Sequence, residues 1–375
     1  MSNPLTNGTV YKVIVWATGT IGQYAIKTIV DRPNLELVGV WVHSESKAGR
    51  DAGELAGMDP VGVLATNDAD ELLASDADAV IYLGPYPTRA KECRDDFVKI
   101  LRAGKNLVTT AVPGLVYGHG SLLESFFQPI VDAAIDGGST VFSSGVEPGF
   151  GCDLLPIALI TMSHSVYSVR GLEITDYSEY PVVSDVHEMF GLGQPMDYQG
   201  GLRTPGLITM GWGAAVTMVG DALGVEFDEI RESCEFAPAT RRVETASVVV
   251  EEGTAGAVWS RCIGMLDGQE VVTIEHIDRM AEDFAPDWPT GREGDVKGVW
   301  RVIVEGEPSI DCEFKVAHNP GENHSLQGLV ATGMRALNAI PWVCEAEPGL
   351  TDALHLPLTP AYGSLRPNRE GLHLF

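Results

Sequence analysis

Six residues, Ala17-Thr18-Gly19-Thr20-Ile21-Gly22, carry the most definite chemistry in the sequence. They follow an apolar run, VYKVIVWA at 10–17, and lead into QYAIKTIVDR at 23–32, whose apolar residues recur at helical spacing. A glycine-bearing turn between strand and helix aims backbone N–H groups and the positive end of the helix at a diphosphate. Gly19 stands where the backbone must approach the phosphates closely, and Gly22 where helix and strand must pack. Alanine replaces the first glycine, which the turn tolerates if φ at Ala17 is negative. Gly19, Thr20, Ile21 and Gly22 are therefore expected to hold a dinucleotide. The next strand ends VWVHSESKAGR, with His43 and Ser44 where an acid would take the ribose hydroxyls of NAD. Lys47 and Arg50 follow closely, with Glu45 between. Ser44, Lys47 and Arg50 suit a 2′-phosphate, so NADP(H) is favoured over NAD(H); a solvated basic loop is the other reading.

Ligands of open parallel sheets sit at the C-terminal strand ends. Those ends are Gly84-Pro85-Tyr86-Pro87, Thr109-Thr110 and Ser144 to Gly149, which adds Gly84, Pro85 and Thr110 to the cofactor set. Glu147, in SGVEPGF, is the first choice for a catalytic group. Beside a nicotinamide its carboxylate could hold an ammonium or iminium, and with its pKa raised by burial it could act as general acid or base; it could equally cap the following helix or form a salt bridge. Tyr117 and His119 could reach the site from a facing loop. In the second half, ITDYSEYPVVSDVHEMFGLG (174–193) offers Tyr177, Tyr180 and His187. Strand alternation would put Asp176, Ser178 and Tyr180 on one face and Tyr177 and Glu179 on the other. One face could line an aromatic pocket with a proton donor, or the tyrosines could simply pack. Asn323 reads as a helix cap, with His324 beside it. No metal site stands out: His318 and His324 are separated by no recognised ligand spacing, and the six cysteines are scattered without C-x-x-C.

The elements that must position these groups fall into two textures. Residues 1–150 alternate strand and helix patterns, including LELVGVWV (35–42), DAVIYLG (78–84), NLVTT (106–110) and STVFSSG (139–145), which implies a doubly wound parallel sheet. Residues 151–322 contain long β-rich runs joined by turn residues such as Asp267-Gly268, which implies an α+β domain with a mostly antiparallel sheet. GLITMGWGAAVTMVGDALG (206–224) reads as a core or interface helix. Residues 323–344 are expected to form a helix, amphipathic up to Ala339, returning to the first domain. The tail 345–375 is expected on the surface or at a subunit contact.

A chain of 375 residues with 45% hydrophobic content fills two cores. The formal net charge of −27, concentrated after residue 150, makes nucleic acid an improbable partner. The first ten residues lack the basic start and apolar centre of a secretory leader, and no apolar run reaches membrane-span length. A soluble, cytoplasmic protein with reduced thiols is expected.

GRDAGELAG (49–57) is similar to the corresponding loop of dihydrodipicolinate reductases. The combination of ATGTIG, GRDAGELAG, GVEPGFGCDLLP (145–156) and NAIPWVCEAEPGL (338–350) more closely resembles the 2,4-diaminopentanoate dehydrogenases and related amine dehydrogenases, over most of the chain. The resemblance implies a Rossmann domain and, over 151–322, a β-rich substrate and oligomerisation domain in a homodimer or homotetramer. It also implies reversible reductive amination, in which nicotinamide hydride reduces an imine. The His-His and Lys signature of the reductases has no match here. The amine dehydrogenases place a Glu just after the strand matching NLVTT, whereas this chain reads AVPGLVYG (111–118), with no carboxylate before Glu124. Their pattern before Pro-Gly-Phe has Asn where this chain has Glu147. The expectation is an NAD(P)H-dependent oxidoreductase of a small amine or imine. Ketone or aldehyde reduction without amination, and NADPH binding without catalysis, are the alternatives.

Overall fold

The computed structural model describes residues 3–86, 89–118, 124–319 and 321–366. The first half contains β1 (Tyr11–Trp16), α1 (Thr20–Asp31), β2 (Leu35–Trp41), α2 (Ala52–Leu55), β3 (Ala65–Thr66), α3 (Ala69–Leu73), β4 (Ala79–Tyr82), α4 (Ala90–Arg102), β5 (Asn106–Thr109), α5 (Glu124–Gly137) and β6 (Thr140–Ser143). These strands form one sheet in the order β6-β5-β4-β1-β2-β3, and every pairing is parallel. The all-apolar strand sequences follow from burial on both faces: Ala79, Val80 and Ile81 are each inaccessible. The order reverses beside β1, so its C-terminal end opens at the crevice where α/β sheets bind ligands.

The second half contains α6 (Leu154–Ile160), β7 (Ser165–Asp176), α7 (Leu207–Ala222), β8 (Glu229–Pro238), the short pair β9 (Val243–Glu244) and β10 (Val249–Val250), then β11 (Ala255–Leu266), β12 (Gln269–Arg279), β13 (Val299–Glu307) and β14 (Ile310–Lys315). Six strands form a sheet in the order β14-β13-β7-β12-β11-β8, in which β7 and β12 are parallel and the other neighbours antiparallel. The sequence is thus an α/β unit followed by an α+β unit with a mostly antiparallel sheet. Alternation divides the second sheet cleanly. Leu172, Ile174, Ile277 and Val299 pack together on one face, while Val169, Val272, Ile274 and Cys262 share a cluster with α7 on the other. The glycines of α7 do not weaken its burial, since Trp212, Ala215, Val216, Met218 and Val219 are all in the core.

The chain then forms α8 (His324–Leu337), α9 (Ile340–Cys344) and β15 (Gly349–Thr351), and β15 joins the first sheet beside β6. Helix α8 packs against α1 closely enough that a Cβ at Gly333 would lie 2.2 Å from Ile21 Cγ2. It ends at Leu337, earlier than its pattern suggests, and Pro341 starts α9 rather than stopping α8, because proline is tolerated in a first helical turn. Strand β7 likewise stops at Asp176, before the tyrosines. Tyr180 N donates to Tyr177 O in a turn, so strand alternation does not govern Tyr177 to Tyr180, and the two rings lie side by side at 4.8 Å. Among the described residues no helix is long and apolar enough to cross a membrane, and all six cysteines are free thiols.

Candidate active site

The nucleotide turn departs from its sequence reading at Ala17, whose φ is +88°. The chain must reverse sharply between β1 and α1, and this first turn position keeps the glycine-like conformation although its residue is alanine. The reason lies in Gly22. A Cβ there would stand 2.1 Å from Ala17 O, so the turn folds directly onto the first turn of α1. Gly19 is the extended N-cap of α1 and makes no side-chain cap bond; a Cβ added to it would meet no protein atom within 4 Å. The unpaired N–H groups of the first helical turn are thus accompanied by open space for an anion. Gly19, Thr20 and Ile21 line one wall of a cavity of about 480 Å³, together with Gly84, Pro85 and Thr110 from the ends of β4 and β5.

Beyond the end of β2, Lys47 Nζ donates to Thr18 Oγ1 at 3.1 Å, which ties this cation to the turn. Ser44 shares a hydrogen bond with Ser46, and Arg50 is exposed. These three lie outside the cavity lining.

The opposite wall comes from the second half: Glu173 and Thr175 on β7, Tyr177 and Tyr180 beyond it, His276 on β12, Trp300 on β13 and Trp212 on α7. Helix α8 closes a side with His324, Gly328 and Thr332, and Glu147 enters from the loop after β6. Among the described residues, no lysine or arginine lines the cavity.

The polar end is built by register. Glu173 pairs with His276 across the parallel β7–β12 junction and with Trp300 across β13. Direct cross-strand partners project from the same face, so all three side chains meet under α7. Trp300 Nε1 donates to Glu173 Oε2 at 3.2 Å. His276 Nδ1 lies 3.9 Å from that same oxygen, and His276 Nε2 lies 4.0 Å from Glu147 Oε1. The Trp212 ring covers the imidazole at 4.4 Å between centroids. Asp278, two residues along the same face of β12, completes a cluster in which Glu173, His276 and Asp278 each present a polar atom within 4.8 Å of the others. Neither imidazole nitrogen nor either Asp278 oxygen has a hydrogen-bond partner, and the same holds for Glu147 Oε1.

Burial without counter-charge sets the protonation of this end. Glu147, whose side chain is 1% exposed, is raised well above the ordinary carboxyl range, mainly by burial and then by Asp153. Asp278 is raised in the same way, by burial and by Glu173. Burial lifts Glu173 to about 7, although bonds from Trp300 and Tyr177 pull it down. His276 is pushed down to about 3 by burial and stays neutral. The cluster thus sets a neutral imidazole among carboxyls whose protonated forms burial favours, and near pH 7 Glu173 is the member balanced between two states.

The sequence candidates are distributed unevenly over this geometry. Glu147 lies in the cavity and also ties down its own loop, because Cys152 N donates to Glu147 Oε2 at 2.8 Å. Tyr177 and Tyr180 line the cavity, and Tyr180 OH donates to Asp185 Oδ2 at 3.1 Å. His187 is not part of the lining; its Nδ1 is 3.0 Å from Leu192 O inside a π-helical turn, Ser184–Met189. Tyr117 is also turned away, donating to Asp221 Oδ2 at 2.6 Å. Asn323 caps α8 by accepting from Leu326 N. Pro87 and His119 lie outside the described residues. Glu173, His276, Trp212 and Trp300 are not singled out by the sequence reading; Glu173 and His276 are polar residues within the β-rich runs GLEIT and VTIEHI, and the second of these also carries Thr273 and Glu275.

Comparison with known proteins follows the same division. The model of the 2,4-diaminopentanoate dehydrogenase C-terminal domain matches residues 150–368, and that of the dihydrodipicolinate reductase N-terminus matches residues 11–110. The chain belongs to the 2,4-diaminopentanoate dehydrogenase family. Within that family's reach, an amine dehydrogenase of Streptomyces virginiae is 39% identical over 354 residues, covering 94% of this chain and 98% of the relative. The structure of amine dehydrogenase from Mycobacterium smegmatis superposes with a TM-score of 0.73 at 19% identity, over 93% of this chain and 97% of that one. A myo-inositol dehydrogenase of Lactobacillus casei, solved with NAD(H) and myo-inositol, shares the fold with a TM-score of 0.55 at 14% identity, over 92% and 89% of the two chains. That enzyme and this chain therefore share one two-part fold.

Proposed function

We propose that this chain is an NAD(P)H-dependent oxidoreductase that interconverts a small amine and its imine, with ammonia entering in the reductive direction. The observation that carries this reading is the cavity itself. One wall is the dinucleotide turn, the other presents the carboxyls of Glu147 and Glu173, and no lysine or arginine lies among the described lining residues. A substrate completing this site supplies N–H donors to these carboxyls and, where Glu173 is ionised, a positive charge, as an ammonium or iminium does. Membership of the family and 39% identity to an amine dehydrogenase support the same reaction.

When bound, the nicotinamide supplies or accepts the hydride. The chain's own residues do the rest. The N–H groups at the start of α1 hold the diphosphate, with Gly19 permitting the approach. Thr110, Gly84 and Pro85 border the space leading from the turn to the acids. Trp212, Tyr177 and Tyr180 shield the reacting carbon from water and accept the apolar part of the substrate. Ser44, Lys47 and Arg50 favour NADP(H) over NAD(H), with Lys47 held at the turn by Thr18. By family likeness the working unit is a homodimer or homotetramer.

The test is NADPH oxidation with a panel of small ketones, with and without ammonium. Oxidation that requires ammonium supports the proposal. Equal rates without it would indicate plain ketone reduction.

A further inference from the structure

We infer that Glu173 is the group that exchanges a proton with the substrate nitrogen, while Glu147 shapes the pocket beside His276. This rests on the amine reading above and assigns a residue to it.

Three observations separate the two acids. Glu147 spends Oε2 on the Cys152 amide and aims Oε1 at an imidazole edge, with its side chain 1% exposed. The Glu173 side chain is largely buried yet retains 10% exposure and borders the cavity, so a proton can pass between it and the substrate or water. Glu173 also stands in the middle of a paired strand, where its position is set by backbone ladders on both sides, whereas Glu147 sits in a loop. Trp300 Nε1 fixes one of its oxygens.

The surroundings leave Glu173 as the member that titrates. From β12 it faces neutral His276 and Asp278, from the loop after β6 Glu147, and from the end of β7 the phenols Tyr177 and Tyr180, with Asp278, Glu147 and both phenols raised by burial. Asp185 lies behind Tyr180 and is also raised by burial. Glu173 itself, lifted to about 7, offers a carboxylate above that pH and a carboxylic acid below it.

Atoms and charge balance in both directions. In oxidation the Glu173 carboxylate takes one proton from the substrate's primary ammonium group, leaving the neutral amine. Hydride then leaves the carbon bearing that nitrogen for oxidised nicotinamide, and the nitrogen lone pair forms the C=N bond of a protonated iminium. In reduction, hydride is delivered to the iminium carbon, the C=N electron pair returns to nitrogen, and the Glu173 acid gives its proton back to the resulting amine.

The experiment compares wild type, Glu173→Gln and Glu147→Gln in two measurements. The first is kcat for oxidation of isopropylamine with NADP+ across the pH range. Wild type is expected to show a limb rising to a plateau above about pH 7. Glu173→Gln should lose the limb and at least about tenfold in kcat, while Glu147→Gln keeps the limb. The second is the indole ¹H–¹⁵N resonance of Trp300 in the cofactor-free protein, assigned with Trp300→Phe. It should shift with a midpoint near 7 in wild type and Glu147→Gln and stay flat in Glu173→Gln, whether or not any amine turns over. A limb that survives Glu173→Gln, or a wild-type Trp300 signal that does not titrate, would overturn the assignment. A titrating Trp300 in a protein that oxidises no amine and aminates no ketone would instead remove the amine reading, and the proton-exchange role with it.

Discussion

Ala17 is held at a φ of +88° by the packing of Gly22 onto its carbonyl. A non-glycine residue at positive φ costs roughly 1–3 kcal/mol, against about 0.4–1 kcal/mol of chain entropy that glycine would lose. The strain is the larger effect, so Ala17→Gly is expected to stabilise the protein by about 1 kcal/mol, read as a higher denaturation midpoint with unchanged slope. At Glu173 the sign depends on pH. Its folded-state pKa of about 7 lies above the ordinary 4.5, so the folded chain binds the proton more tightly. The contribution to stability is complete below the unfolded value and is lost as pH rises towards 7. Glu173→Gln, which cannot ionise, should therefore raise Tm more at about pH 8 than at about pH 4.5. Equal shifts at the two values would contradict the assigned protonation. Glu147→Gln should leave the rising pH limb in place and NADPH affinity nearly unchanged, because that carboxyl lies at the far end of the cavity from the diphosphate turn.

The elements explain which of these residues were visible beforehand. Gly19 and Gly22 were legible because a strand–turn–helix junction leaves a local pattern. Glu147 was legible because it lies at a strand end in that same pattern. Glu173 and His276 were not, because their meeting depends on two strands about a hundred residues apart pairing in one particular register. Even the correct recognition of β-rich runs leaves that register open. Tyr177 and Tyr180 reached the cavity by a turn rather than by strand alternation, and His187 was drawn away by its bond to Leu192 O. The contact between α8 and α1 gives a test at this scale. Gly333→Leu would drive a side chain into Ile21, one of the residues lining the dinucleotide wall. NADPH affinity should fall at least about tenfold while the second sheet, remote from this contact, keeps its fold by circular dichroism.

At the scale of the whole molecule, the active cavity exists because two units of different construction face each other. The parallel sheet supplies a helix N-terminus and apolar strand ends, and the mixed sheet supplies acids whose charge is suppressed by burial. The overall charge of −27 adds nothing specific to this arrangement; what matters is that no lysine or arginine among the described residues enters the lining. The composition and the alternation of strand and helix patterns indicate the two kinds of unit, but only their juxtaposition places the Glu147 and Glu173 carboxyls at one end of the cavity and the glycine turn at the other. The most direct measurement of this account is NADPH oxidation by the wild-type protein with a small aliphatic ketone, with ammonium present or omitted. The account predicts consumption that depends on ammonium and yields the primary amine. Ketone-dependent consumption at the same rate without ammonium, yielding the alcohol, would contradict it.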